Sequence, residues 1–379
     1  MAKKAYIGVN GVAKAVKKAY VGIDGKARRI IKAYIGIGGV ARPCWAGGGE
    51  LTYYGTVTSL SEARSNLAAT TIGSYALFGG GLASDYAYPV DAYNESLTRS
   101  TPTRLRVNRS ELAATTVGGY ALFGGGGTTR DGEYEKSDAV DAYDASLTRS
   151  IPTELSEARN GLVATTVGEY ALFAGGSTTV VDAYNKSLTR SKPTALSLSI
   201  YYNAATTVGD YALFGGGETY PPAASDIVYA YNKSLTQTLP TKLSVARSAM
   251  GATTVGRYAL FGGGQQKSTA VYAYATVDAY DNSLTRTSAT GFSVSRSNPA
   301  ATTVGGCAVF GGGYAQASPN YSSAVDVYDE YLTRTIPANL NTSRSHLAAT
   351  SVGNFALFAG GSSSPGNTKY ATVDAYTVI

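Results

Sequence analysis

The side chains that most often carry catalysis are few in this sequence. The 379 residues contain one histidine, His346, so a metal site or nucleophile triad based on histidine has no second histidine to draw on. The same position in other repeats of the chain is held by Asn66, Glu111 and Asn298. We therefore interpret His346 as a surface substitution and expect neither a metal nor a cofactor.

Carboxylates and cysteines do not change this expectation. Paired carboxylates could cleave glycosides, but the obvious aspartates recur once per repeat, which is more typical of residues that hold turns: Asp91, Asp141, Asp182, Asp278, Asp326 and Asp374. The two cysteines, Cys44 and Cys307, are too few for a disulfide framework or a metal site. Cys307 stands where the other repeats carry an aromatic residue, so we expect it to be buried. The sequence thus favours a protein that is not an enzyme, with no catalytic residues.

A series of arginines could hold an anion. Arg64, Arg109, Arg159, Arg247, Arg296 and Arg344 precede the first predicted strand of six repeats, and Ile200 takes the place in the remaining one. If the repeats surround an axis, these side chains could form a ring of positive charge near an axial channel. The structural alternative is that each arginine binds carbonyl or carboxylate groups between neighbouring repeats.

Tyrosines are concentrated in the segments that vary between repeats. These segments span residues 82–89, 127–139, 177–180, 218–227, 265–276, 314–324 and 362–372. Their tyrosines are Tyr86, Tyr88, Tyr134, Tyr220, Tyr272, Tyr274, Tyr314, Tyr321 and Tyr370. Tyrosine among small polar residues gives contact area at low entropic cost, and its ring can stack on sugars. We predict a binding surface here, the alternative being loop drift without selection.

The elements that position these residues follow from an internal repeat. The phrase Ala-Thr-Thr-Ile/Val-Gly-x-Tyr-Ala-Leu-Phe-x-Gly-Gly recurs with small variations, and its first glycine falls at Gly73, Gly118, Gly168, Gly209, Gly256, Gly305 and Gly353. A spacing of about 47 residues fits four-stranded propeller blades. For the second repeat we predict strands over 112–117, 120–124, 139–143 and 146–155. The fold prediction is an all-β, seven-bladed β-propeller.

The chain ends predict how the ring closes. The last repeat stops shortly after its Val-Asp-Ala-Tyr phrase, before a fourth strand, and a matching segment precedes the first repeat at residues 51–60. An N-terminal strand that completes the last blade removes an exposed sheet edge. The propeller is therefore expected to span residues 51–379.

The repeat resembles the kelch-like propellers over residues 51–379. The resemblance lies in Arg64 before an apolar strand, the glycine cluster 79–81, and Tyr93 at the start of the outer half of the blade. Most kelch repeats carry tryptophan where this chain has Leu97, Leu147 and Leu188. The copper oxidases of this group need histidine ligands that this chain lacks. The resemblance implies a kelch-like propeller, and one reading of its function is an intracellular scaffold for protein–protein interactions.

Residues 1–50 predict a separate, basic arm. Residues 1–45 hold ten of the 32 lysines and arginines and one acid, Asp24. A 14-residue repeat places Asn10-Gly11, Asp24-Gly25 and Gly38-Gly39 between short β-prone runs, and these pairs are favoured in hairpin turns. A basic amphipathic helix on a membrane is the rival reading. We predict a β-hairpin repeat and do not expect nucleic-acid binding.

The arm also suggests a biological setting. Three short hairpins have little core of their own, so we expect the arm to order against identical arms, with a trimer favoured, or against a larger particle. Its Tyr-Ile-Gly-Val-Asn-Gly motif resembles arms of tail-associated proteins in phages and prophages of Gram-positive bacteria. We expect no membrane span and no signal peptide. The leading hypothesis is a phage-tail appendage located on the virion, with tail proteins and a cell-surface protein or glycan as partners; the alternative is a cytoplasmic protein.

Overall fold

A computed structural model describes residues 6–378 except for 10–11, 16–18, 24–25, 31, 38–39, 47–49, 84–88, 131–132, 268–270, 317–319 and 364–367. These residues form strands and turns with no helix, and hence no helix long and apolar enough to cross a membrane. Two compact units are present: the second comprises Thr52–Thr377, and the first comprises the residues up to Leu51 together with Val378.

The arm contains three antiparallel hairpins. Their strands are Tyr6–Val9 with Val12–Ala15, Ala19–Ile23 with Lys26–Ile30, and Lys32–Ile37 with Val40–Ala46. In the first hairpin Val9 pairs with Val12, which leaves two residues for the turn. The same spacing separates Ile23 from Lys26 and Ile37 from Val40. The predicted hairpin repeat is confirmed, while the turn residues themselves lie outside the described residues.

Seven four-stranded antiparallel sheets follow, which confirms the predicted propeller. Blades 1 to 3 consist of Ala68–Ile72, Tyr75–Gly79, Val90–Asn94 and Arg99–Ser100; Ala113–Val117, Tyr120–Gly124, Val140–Asp144 and Arg149–Ser150; and Leu162–Val167, Tyr170–Gly175, Val181–Asn185 and Arg190–Ser191. Blades 4 and 5 consist of Ala204–Val208, Tyr211–Gly215, Val228–Asn232 and Gln237–Thr238; and Gly251–Val255, Tyr258–Gly262, Val277–Asp281 and Arg286–Ala289. Blades 6 and 7 consist of Ala300–Val304, Cys307–Gly311, Val325–Tyr328 and Arg334–Thr335; and Ala348–Val352, Phe355–Ala359, Val373–Val378 and Leu51–Val57.

The core lies between neighbouring blades. The continuous apolar run Ala121-Leu122-Phe123 is fully buried, because the second strand of a blade has a neighbouring sheet on each face. Phe123 of blade 2 packs in one cluster with Leu77 and Ala92 of blade 1. Cys307 is buried at its position in blade 6, as expected.

The fourth strands are much shorter than predicted. Instead of residues 146–155, the fourth strand of blade 2 covers Arg149–Ser150, and Pro152 follows. Blade 5 shows the reason. There Ala289 takes the place of this proline, and the fourth strand is longer, with four residues, the last of which, Ala289, pairs with Val277. A proline at this position has no N–H for the ladder, so the strand ends before it.

The N-terminal strand completes blade 7, which confirms the predicted closure. Leu51–Val57 lies beside Val373–Val378 as the fourth strand of that sheet. The Tyr53 hydroxyl donates to an Asp374 carboxylate oxygen at 2.7 Å, and Thr52 Oγ1 donates to the Thr377 carbonyl at 3.3 Å. The two ends of the propeller are therefore joined by backbone pairing and by side chains.

Candidate functional site

The arginine series is buried inside the blades. In blade 2, Arg109 Nη2 lies 2.8 Å from the Asp141 carboxylate on the third strand and donates to the Phe123 carbonyl at 2.9 Å. Burial lowers the pKa of the Arg109 guanidinium, and the Asp141 carboxylate opposes that shift. All six guanidinium groups pair with an aspartate in this way, at 2.7–2.9 Å: Arg64, Arg109, Arg159, Arg247, Arg296 and Arg344.

The arginine side chains bind carboxylate and carbonyl groups, as in the structural alternative to an axial anion ring, but these groups belong to the same blade and not to a neighbouring one, as for Arg109 with Asp141 and Phe123. The six arginine side chains are at most 1% exposed, so they offer no surface to an anion in the channel. Their backbones join neighbouring blades, since the Arg109 carbonyl accepts from Gly81 N of blade 1 at 3.0 Å and the Arg159 carbonyl accepts from Gly126 N of blade 2 at 2.8 Å. The arginine segments therefore fasten each blade to the preceding one.

Most of the aspartates have a second basic partner. An arginine on the fourth strand approaches the other carboxylate oxygen, as Arg286 does to Asp278 at 2.9 Å and Arg190 to Asp182 at 3.1 Å. In blade 7 the Tyr53 hydroxyl takes this role. The recurrent aspartates are thus structural, but they join two elements of the same blade from within the third strand, whereas the repeat pattern predicted that they hold turns.

Blade 4 replaces the whole set. Ile200 stands in place of the first arginine, Tyr229 in place of the aspartate, and Gln237 in place of the second arginine. Ile200 and Tyr229 are fully buried, and the Tyr229 hydroxyl lies 2.8 Å from Ser197 Oγ. Together the three substitutions remove both arginines and the aspartate of the set, so that blade 4 has no charged side chain at these positions. A comparison of the seven repeats at these three positions reveals the replacement of the whole set from the sequence alone.

A ring of residues with positive φ surrounds the axis where the first strands begin. Its members, with φ between 51° and 63°, are Asn66, Glu111, Gly161, Tyr202, Ala249, Asn298 and His346. The backbone N–H of one blade's member donates to the carbonyl of the preceding blade's member, for example Glu111 to Asn66 at 3.0 Å and Asn66 to His346 at 2.9 Å. Six of the seven consecutive pairs are joined in this way, including His346 of blade 7 with Asn66 of blade 1.

Threonine hydroxyls form further links between the first strands. Thr166 Oγ1 lies 2.9 Å from Thr115 Oγ1 of the preceding blade and donates to the Thr116 carbonyl at 2.5 Å. Thr71 repeats this arrangement across the closure, with Thr350 and the Ser351 carbonyl of blade 7. The Ala-Thr-Thr phrase of the repeat therefore links neighbouring first strands, a role that its sequence pattern alone does not reveal.

The side chains of the axial ring surround a cavity of about 210 Å³, the mouth of the axial channel. His346 is exposed there, as a surface substitution would be, although the surrounding walls exclude enough water to lower its pKa. Glu111 accepts from Asn160 Nδ2 at 2.5 Å. Burial raises the pKa of Tyr202 to about 12, and the Glu111 charge adds to the shift. The mouth is therefore a polar site that the sequence analysis did not single out.

The variable loops lie on the same face as the mouth, because second-to-third-strand connections and first-strand starts share one end of an antiparallel blade. Three of the predicted tyrosines are largely exposed: Tyr134 at 55%, Tyr220 at 89% and Tyr272 at 52%. Tyr134 also borders a cleft of about 200 Å³ together with Asn66 and Glu111. These three side chains are available to a partner.

The other predicted tyrosines are partly occupied within their loops. Tyr274 donates to Gln266 Oε1 at 2.8 Å, and the Tyr370 hydroxyl lies 2.7 Å from Ser363 Oγ. The rings of Tyr314 and Tyr321 meet edge to face with centroids 5.5 Å apart. Tyr86 and Tyr88 lie outside the described residues.

Comparison with known proteins gives the fold and no closer relationship. No protein-family model and no curated protein matches the sequence. The chain is similar to the solved structure of YjhT, with a TM-score of 0.55 and 11% identity over 85% of this chain and 97% of that one. It is also similar to a fungal alcohol oxidase of the AA5 family in complex with copper, with a TM-score of 0.67 and 12% identity over 87% of this chain and 76% of that one. At such identities the similarity shows that the chain is a seven-bladed β-propeller with structural neighbours in the propeller class.

Proposed function

We propose that this chain is a non-enzymatic binding protein, a tail appendage of a phage or phage-like particle. Its arm attaches to the particle, and its loop face recognises a protein or glycan on a bacterial surface. The observation that carries the proposal is the contrast between a scaffold repeated almost residue for residue and loops that differ in length and sequence on one face. Variable loops on a rigid scaffold are where binding usually resides.

The polar inventory supports binding over catalysis. The recurrent carboxylates are engaged in buried ion pairs, as Asp141 is with Arg109. The described residues contain no group of three or more His, Cys, Asp or Glu side chains placed to hold a metal ion. Exposed tyrosines such as Tyr220 instead supply the aromatic surface that anchors many interfaces.

The arm supports attachment to a partner. Each of its sheets has only two strands, and an isolated two-stranded hairpin is marginally stable in water. The basic residues of the arm are suited to an acidic partner surface. Both points are consistent with arms that order against one another or against a particle, as in the tail-associated proteins that the arm resembles.

Assembly is therefore expected to depend on the arm. The full chain should be oligomeric, with a trimer as the expected state, whereas a chain starting at residue 50 should be monomeric. Light scattering coupled to size-exclusion chromatography measures both masses. A full chain that is monomeric alone and also fails to bind purified tail particles would contradict this role for the arm.

Binding is expected to depend on the exposed loop tyrosines. Changing Tyr134, Tyr220 and Tyr272 together to alanine should lower binding of the labelled full chain to Gram-positive cells at least tenfold, because aromatic anchors carry much of the energy of an interface. Tyr331 is a matched control, since it is 53% exposed but lies in a third-to-fourth-strand turn on the opposite face. Tyr331→Ala should bind as the unmodified chain does.

Two outcomes would count against this function. Equal binding by the triple variant and the unmodified chain would show that the loops are not the recognition surface. Capture of a cytoplasmic protein by the loop face, with no binding to any cell or glycan, would favour the kelch-type scaffold instead.

A further inference from the structure

One blade places a buried amide where the others place apolar side chains. Asn203 of blade 4 follows Tyr202 of the axial ring, and the equivalent residues are Leu67, Leu112, Leu162, Met250, Pro299 and Leu347. Asn203 is 4% exposed, and neither its Nδ2 nor its Oδ1 has a hydrogen-bond partner in the part of the chain that the structure describes. Burying an amide without a hydrogen-bond partner is unfavourable, so a polar partner from outside the chain is expected.

Asn203 lies beside the axial cavities. It contributes to the lining of the mouth and of a second space of about 250 Å³, which is lined mainly by first-strand alanines. Its Oδ1 packs over Gly175, where a Cβ atom would come within 2.5 Å. The amide can therefore reach an occupant of the mouth if the side chain turns away from Gly175.

The size and charge of the mouth restrict the occupant. A volume of about 210 Å³ equals that of roughly seven waters, which is room for one small ring. Glu111 is the one formally charged side chain among the described residues that line the mouth, and no lysine or arginine lines it. An anionic ligand would meet a carboxylate with no compensating cation, so an anion is disfavoured. An ammonium group can only donate hydrogen bonds and would not use the amide donors of the lining, so the mixed lining favours a neutral ligand that both donates and accepts.

The remaining groups match a ligand rich in hydroxyls. The Glu111 carboxylate accepts hydrogen bonds, and the amides of Asn66 and Asn298 both donate and accept. Tyr202 is 36% exposed and presents an aromatic ring on which a sugar can stack. These groups converge from different blades, as in ligand sites where a few polar groups fix orientation.

We propose that the mouth of the axial channel binds one neutral sugar ring, with Glu111 accepting from its hydroxyls, Tyr202 stacking on it, and Asn203 turning to hydrogen-bond its inner edge. Tyr220 and Tyr272 do not line this site, whereas Tyr134 borders it beside Asn66 and Glu111. The site does not depend on the attachment of the arm to a particle.

A panel of free hexoses, pentoses and N-acetylhexosamines tests the site on the full chain by ligand-observed NMR and thermal shift. At least one neutral sugar should give saturation transfer and raise the Tm. The variant Glu111→Gln with Asn203→Leu should lower the affinity for that sugar at least tenfold. Asn203→Leu introduces the residue found in four other blades, so the double variant should fold and melt no lower than the unmodified chain.

Controls separate this site from the loop surface. Tyr331→Ala, and the pair Tyr220→Ala with Tyr272→Ala, should keep the affinity for the sugar. The proposal is overturned if no sugar of the panel binds the unmodified chain, because the mouth then holds only water. It is also overturned if the double variant binds the sugar as tightly as the unmodified chain does.

Discussion

Replacing Asp278 alone by tyrosine should lower the free energy of unfolding by about 3–5 kcal/mol, since it leaves a buried charge without its partner. Arg247 is fully buried and bonded to Asp278 at 2.9 Å. Arg286 approaches the same carboxylate, also at 2.9 Å. Urea denaturation followed by circular dichroism measures the loss.

Blade 4 supplies the compensating substitutions. Adding Arg247→Ile and Arg286→Gln to Asp278→Tyr copies the combination of Ile200, Tyr229 and Gln237 into blade 5. Ser244 stands where Ser197 bonds Tyr229, so the new hydroxyl has a partner. We expect the triple variant to recover most of the lost stability, because replacing a buried ion pair by well-packed residues is often neutral.

An exposed ion pair provides the control for this series. Arg106 and Glu154 lie 2.7 Å apart and are 31% and 49% exposed. Because such pairs are screened by solvent, Glu154→Ala should cost less than about 1 kcal/mol. A triple variant no more stable than Asp278→Tyr would refute the view that the three residues of blade 4 form one compensated set.

Removing the N-terminal strand that completes blade 7, here called the closing strand, should cause the second large loss of stability. A chain starting at residue 58 loses Leu51–Val57 and exposes Val373–Val378 as a sheet edge. The loss of the buried Leu51 side chain and of the strand's hydrogen bonds should cost about 3–5 kcal/mol. The Tm should fall on the order of 10 °C, and the open edge should promote association.

A chain starting at residue 50 is the matched comparison, because it lacks the arm but keeps the strand. Its Tm should stay within a few degrees of that of the full chain. Differential scanning calorimetry on the full chain and the two truncated chains measures these Tm values. If removing the arm lowered the Tm as much as removing the strand, residues 1–49 would be part of the propeller's stability.

The sequence predicted the elements whose signal is repeated, and missed those set by tertiary contacts. The run Tyr120-Ala-Leu-Phe-Gly gave the bounds of a second strand without error, since a buried strand is continuously apolar. The fourth strands were predicted too long, because Pro152 ends the strand only if its missing N–H would have pointed towards the neighbouring third strand.

The turn between the third and fourth strands was not fully predicted either. Leu97 and its equivalents lie at φ values near 60°, which an isolated leucine disfavours. The turn is held instead by Asn94, whose Oδ1 accepts from the backbone of Ser96 and Thr98.

The candidate site was predicted less well than the fold. The exposed loop tyrosines lie on one face, as a binding surface requires. The arginines turned out to be buried because aspartates far away in sequence complete their pairs, as Asp141 does for Arg109. The mouth of the channel was missed because its residues share a position in the repeat but not a residue type. What these residues have in common is a backbone conformation with positive φ, as in Glu111 and His346.

The closing strand also determines when the ring can be finished during synthesis. Leu51–Val57 is synthesised before all the other strands of the propeller, and its partner Val373–Val378 after them. At typical translation rates of about 5–20 residues per second, the strand waits on the order of tens of seconds. Its sequence, Leu-Thr-Tyr-Tyr-Gly-Thr-Val, is uncharged and prone to pair with other edges. In a polysome, we therefore expect nascent chains to compete for each other's seventh blade, with exchange of this strand between copies as the expected form of misassembly.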